Sequence, residues 1–169
     1  RDAAQQNSRL YDLAGVKYVL EEGQEPPRGF SDGLREVFSS PEIHIWENPN
    51  VMPRAFIVHE AAGPPQLADT SYLYDPTFPF DRAVVLDDPA AVSRLIAKSQ
   101  PRSQDRVEIT HYSYNEVTIE CETAAPGFLV LTDSFYPGWE ATVDGQSERI
   151  YRADHIFRAV FAPAGQHTV

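Results

Sequence analysis

From Val107 onward the chain is cut into short segments by turns built on proline and glycine: Ala125-Pro126-Gly127, Pro137-Gly138, Asp144-Gly145 and Pro163-Ala164-Gly165. Long helices do not survive such punctuation, because proline removes a backbone donor and glycine costs a helix about 1 kcal/mol against alanine. Between the turns, apolar positions recur every second residue. Val107, Ile109 and His111 alternate with Glu108 and Thr110, and Val117, Ile119 and Cys121 alternate with Thr118, Glu120 and Glu122. That period belongs to strands buried on one face. Phe128-Leu129-Val130-Leu131 is apolar on both faces and reads as a central strand covered on both sides. Further strands are expected over Trp139 to Val143, Glu148 to Tyr151, His155 to Phe161 and from Gln166 onward. Strands this short, at spacings of about 8–12 residues, specify antiparallel sheets packed face to face.

The preceding part is mixed. Asn7-Ser8 offers a helix cap, Leu10, Leu13 and Ala14 follow at helical spacing, and Gly15 closes the helix. Strands are predicted at Val16 to Leu20, Glu42 to Glu47 and Arg54 to His59, with Asn48-Pro49-Asn50 supplying the turn between the last two. Residues 21–33 and 61–81 read as loop from their glycine and proline content. A short strand Arg82 to Leu86 precedes a helix from Pro89 to about Lys98, with Asp88 before it, Pro89 at its first position and Val92, Leu95 and Ile96 inward. Ser99 to Asp105 is the expected linker. The predicted fold is mainly β: an antiparallel sandwich of jelly-roll or galactose-binding-like type over residues 104–169. An α+β portion, residues 1–103, with two short helices, packs on it as one co-folded unit. The chain opens on Arg1 without an initiator Met and stops at Gln166-His167-Thr168-Val169, which reads as the start of a strand. The expectation is a sandwich truncated at its C-terminal end, a module excised from a larger protein.

A chain of 169 residues that is 42% hydrophobic can build one sizeable core or two small lobes. Its net charge of −11 repels polyanions, which excludes nucleic acid as a partner. The longest apolar run, Gly127 to Leu131, is far short of the roughly 20 residues that cross a bilayer. A single cysteine, Cys121, rules out an internal disulfide and a multi-cysteine zinc site, and its place in the alternation makes it a core residue.

Candidate chemistry gathers near the turns. Phe135, Tyr136 and Trp139 suit stacking on a sugar ring, and Asp133 or Asp144 suits accepting hydroxyl hydrogen bonds. The alternative is that the aromatics fill the end of the sandwich and the aspartates serve the turns. Pro137-Gly138 fits a type II turn and Asp144-Gly145 a type I′ hairpin. Arg158 lies inside the apolar run Ile156 to Val160, and Arg54 follows Met52-Pro53; each must be paired or reach solvent. The candidate ligand-binding residues are therefore Tyr136, Trp139, Asp144 and Arg158. The five histidines occur singly, without metal-ligand spacing, and no nucleotide-binding or serine-hydrolase motif occurs, so no metal, cofactor or catalytic residue is assigned.

Three stretches carry a family resemblance. They are Leu10 to Val19, Trp46-Glu47-Asn48-Pro49-Asn50-Val51-Met52-Pro53-Arg54-Ala55-Phe56, and a third running from Asn115-Glu116-Val117 through Phe128 to Leu131, Tyr136 to Trp139, Val143 to Gly145 and Phe157 to Val160 as far as Pro163 to His167. Together they resemble the extracytoplasmic region near the C-terminus of YfhO-type bacterial membrane proteins; the proline-rich stretch from Gly63 to Pro79 carries none of the likeness. The resemblance implies a multi-pass parent similar to GT-C-type glycosyltransferases that use lipid-linked sugars, associated with cell-envelope polymers. It also implies that the catalytic acid lies elsewhere in the parent and that this piece is inert as a transferase. The expected role is an accessory domain on the outer face of the membrane, partnered by the membrane-embedded remainder and positioning an envelope glycan. An autonomous carbohydrate-binding module and a purely structural or assembly domain stand as alternatives.

Overall fold

The computed structural model describes residues 9–23, 25–28, 30, 33–63, 70–95 and 105–169. Backbone contacts divide the chain into two units, Arg1–Arg54 with Asp69–Phe80, and Ala55–Ala68 with Asp81–Val169.

In the first unit, helix α1 (Leu10–Leu13) is a single turn, and its end is set by glycine. Gly15 takes φ +74°, so the Gly15 N–H reaches Asp12 O at 3.2 Å and the Val16 N–H reaches Tyr11 O at 3.0 Å. These are the paired bonds of a Schellman cap. The predicted cap residues Asn7 and Ser8 lie outside the described residues. Strands β1 (Tyr18–Glu21), β2 (Arg35–Ser39) and β3 (His44–Glu47) form an antiparallel sheet in the order β1-β3-β2. Asn48, directly after β3, is 1% exposed and ties the sheet to the helix. Its amide donates to Asp12 Oδ1 at 2.8 Å and Val16 O at 3.1 Å, while its Oδ1 accepts from Asn50 N at 3.0 Å and shapes the turn. The first two stretches of the family resemblance thus meet through Asp12 and Asn48. Asn48→Ala removes one donor from a buried carboxylate and is expected to destabilise this unit by roughly 2 kcal/mol. Urea unfolding followed at Trp46, the tryptophan of this unit, checks it; an unchanged midpoint would refute the role.

The second unit holds the sandwich. Strand β4 (Ala55–Val58) is followed by β5 (Glu60–Ala62) and β6 (Ala83–Val85), which pair in parallel. Helix α2 (Pro89–Val92) starts as expected, with Pro89 at its first position and the Asp88 side chain accepting from Ala90 N. A 3-10 turn, Ser93–Leu95, follows, and the predicted continuation through Ile96 to Lys98 and the linker at 99–104 lie outside the described residues. Then come β7 (Arg106–Tyr112), β8 (Val117–Thr123), β9 (Gly127–Leu131), β10 (Ala141–Val143), β11 (Gln146–Glu148), β12 (Ile150–Ala153), β13 (Phe157–Ala162) and β14 (Gly165–Thr168). One antiparallel sheet runs β12-β13-β9-β4 and the other β14-β8-β7. Their inner faces share a core of Ala55, Ile57, Leu129, Leu131 and Ala162 against Ile119 and Cys121. Cys121 is a buried free thiol, as its alternation predicts.

The central strand behaves as its two apolar faces require, because every residue of β9 is buried. Leu129 and Leu131 join the inner core, and Phe128, on the opposite face, packs edge-on against Tyr151 and Phe161 at 5.7 and 5.6 Å between centroids. Gly127 opens the strand because β4 passes too close for a side chain. A Cβ there would sit 2.6 Å from Ile57 Cγ2 and 2.8 Å from Val58 O.

Several features differ from expectation. Strand β4 is hydrogen-bonded to β9, so residues 55–63 and 81–95, expected in the first portion, belong with the sandwich, and the two units part at 54/55, 68/69 and 80/81. A local reading of composition finds the polar linker but not this long-range pairing. Strands β2 and β5 fall in stretches with no predicted strand. Trp139 lies in a turn rather than in the strand that follows, and the segment expected as one strand from Glu148 to Tyr151 is split between β11 and β12.

Candidate functional site

Within the second unit a groove of about 1060 Å³ opens between the two sheets and the neighbouring turns. Its floor is apolar, made by Ile119, Leu129, Leu131 and Val160. Tyr136, Trp139, Asp144 and Arg158, the four residues picked out from sequence, all line it. They arrive from two turns and one strand, each held by a specific local constraint.

Tyr136 to Trp139 belong to the connection after β9. Gly138 takes φ +105°, as the third position of a type II turn requires. The Phe135 N–H donates to Ile156 O, which anchors the connection to the β12–β13 hairpin. Tyr136 is 72% exposed at the rim and Trp139 is half-buried. Phe135 does not line the groove, and the Arg152 guanidinium lies 5.0 Å from its ring centroid.

Asp144 and Gly145 form the two-residue loop between β10 and β11, with φ of 52° and 77°, the pair of positive values that a type I′ turn needs. The tip docks on β14. Asp144 N donates to Thr168 O and Thr168 N donates to Asp144 Oδ1, both at 2.9 Å, while Asp144 Oδ2 lies 2.7 Å from His167 Nδ1. The bonds from His167 and Thr168 hold the Asp144 carboxyl below its ordinary range. At neutral pH it is an acceptor and a negative charge, not a proton donor.

Arg158 is only 6% exposed although it carries a full charge. In register with Leu131 on the inner face of the sheet, it is neutralised by Asp133, which follows β9 two residues later. Arg158 Nη2 donates to Asp133 Oδ2 at 2.7 Å, and the Tyr112 hydroxyl donates to the same oxygen at 3.0 Å. The guanidinium is 4.2 Å from the centroid of Trp139, whose ring it braces. Asp133 thus serves the arginine and the Tyr112 hydroxyl and does not line the groove. Arg54, the other arginine with a demand for a partner, is exposed at the end of the first unit.

Sequence reasoning missed one wall. Tyr114, Asn115 and Glu116 line the groove from the β7–β8 turn. The turn is fixed by Ser113, whose N–H and hydroxyl both donate to Glu116 O and whose Oγ accepts from Glu116 N. Tyr114 at its tip is fully exposed. The available signal was an aromatic in a polar turn, Tyr112-Ser113-Tyr114-Asn115, a position that burial does not explain. Among the described residues no group of three or more His, Cys, Asp or Glu is placed to hold a metal, and no helix is long and apolar enough to cross a membrane. Comparison of the chain with known protein families, with characterised proteins and with solved structures finds no match in any of the three.

Proposed function

We propose that the chain is a non-catalytic glycan-holding domain that works at the extracytoplasmic face of a membrane, beside the membrane-embedded part of a YfhO-type multi-pass protein. The observation that carries the glycan reading is the groove, in which three aromatic rings, Tyr114, Tyr136 and Trp139, surround an apolar floor. Aromatic faces match the C–H faces of pyranose rings, and the volume suits an organic ligand rather than an ion. The low proton affinity of Asp144 suits it to accept hydrogen bonds from a sugar rather than to protonate a leaving group. The membrane context rests on the family resemblance in sequence.

Calorimetric titration of the 169-residue chain with neutral hexose and N-acetylhexosamine oligomers tests the glycan part. Binding is expected in the micromolar to millimolar range. Trp139→Ala is expected to weaken it about tenfold, the loss of one stacked ring. Silence towards every oligomer at millimolar concentration removes the glycan reading and leaves the structural or assembly role. The membrane part is tested by reading the complete gene, where membrane helices flanking this stretch and an acidic residue in the first outer loop are expected.

A further inference from the structure

We propose that the groove selects saccharides bearing a free amine over those bearing carboxylate or phosphate groups. This rests on the glycan reading above and adds the charge of the ligand to it. Four charged residues line the groove: Glu116, Glu140, Asp144 and Arg158. The single positive charge does not reach a ligand as a net field, because the Asp133 carboxylate sits 2.7 Å from it and the two side chains are 7% and 12% exposed. The three negative charges face water. The Glu116 side chain is 72% exposed and that of Asp144 is 52% exposed, and Glu140 is also exposed. Histidines touch two of them, His111 at 3.8 Å from Glu116 and His167 at 2.7 Å from Asp144.

A second feature points the same way. The exposed faces of Tyr114 and Tyr136 carry the negative quadrupole of the aromatic ring, which attracts an ammonium group as well as C–H edges. The apolar floor of Leu129, Leu131 and Val160 is a low-dielectric wall that concentrates the field of the rim carboxylates into the groove. The net charge of −11 adds a long-range term of the same sign. A polyanionic glycan would approach against all three; a hexosamine with a free amine approaches with them.

The experiment titrates the 169-residue chain by calorimetry with four probes: a glucosamine tetramer, its N-acetylated counterpart, a galacturonate tetramer and spermidine. Each is measured at about 25 mM and about 250 mM salt, where the screening length falls from ~20 Å to ~6 Å. The glucosamine tetramer is expected to bind about tenfold more tightly than the N-acetylated one at low salt, an advantage lost at high salt, with galacturonate weakest. Glu116→Gln with Glu140→Gln, two exposed and fold-neutral changes, is expected to bring the glucosamine tetramer down to the affinity of the N-acetylated one. Equal, salt-insensitive affinity for the two hexosamine tetramers overturns the charge selection while leaving the glycan reading standing. So does tighter binding of galacturonate. Spermidine binding as tightly as the glucosamine tetramer overturns selection of a saccharide, since charge alone then explains the uptake. No binding by any probe overturns both readings.

Discussion

Replacing Asp154 by asparagine is expected to raise the stability of the sandwich by about 2 kcal/mol at pH 8 and to flatten its pH dependence between about pH 4 and pH 7. Asp154 directly follows β12 in the tight turn into β13 and is 1% exposed. Its backbone N–H donates to Val85 O at 2.8 Å and its Oδ1 accepts from Val85 N at 3.0 Å, which stitches the turn to β6. Burial dominates that single bond and pushes the carboxyl from 3.8 up to about 7. A carboxyl that is harder to ionise in the folded chain holds its proton preferentially there. Its contribution is therefore complete below the unfolded value, falls away as pH rises towards 7 and is flat beyond. The span is about 4 kcal/mol for a shift of ~3 pK units. Asparagine keeps the oxygen that accepts from Val85 and tolerates the φ of 43°. Its extra amide donor in a buried place offsets roughly half of the gain. Urea unfolding from pH 4.5 to pH 8 reads the result. Parallel pH profiles for the wild type and Asp154→Asn would rule out the buried carboxyl as the source of the slope.

The sandwich was legible where local chemistry dictates it. Phe128 to Leu131 suits a covered central strand, and Asp144-Gly145 suits a tight hairpin because few other residues accept two successive positive φ values. Strand β2 was not legible, since all five of its residues, Arg35 to Ser39, are exposed and alternation is a signal that burial alone writes. Strand β5 has three residues, and its partner β6 begins more than twenty positions later. No local pattern records such a pairing. The same blindness placed β4 in the wrong portion. At the groove, sequence gave the residues constrained by turns and by buried charge, Tyr136, Trp139, Asp144 and Arg158. It missed Tyr114 and Glu116, whose exposure leaves no periodic trace.

Arg158→Ala is expected to destabilise the second unit by about 3–5 kcal/mol, the cost of leaving a buried carboxylate without its counter-charge. The partner is Asp133, 12% exposed at the side chain, which also accepts from the Tyr112 hydroxyl. If the pair itself were the source of stability, removing both charges would cost as much. Desolvation argues otherwise, because two charges taken from water recover little more than the cost of burying them. Arg158→Met with Asp133→Asn keeps the volume and an acceptor for Tyr112, and is expected to fall within about 1 kcal/mol of the wild type. A double variant as unstable as Arg158→Ala would overturn that argument. The pair then has to be explained by what it does for the groove, since a methionine offers no flat cation to brace Trp139 at 4.2 Å. The folded double variant is therefore expected to lose affinity for neutral oligomers while keeping its unfolding midpoint, a separation that a purely structural ion pair would not produce.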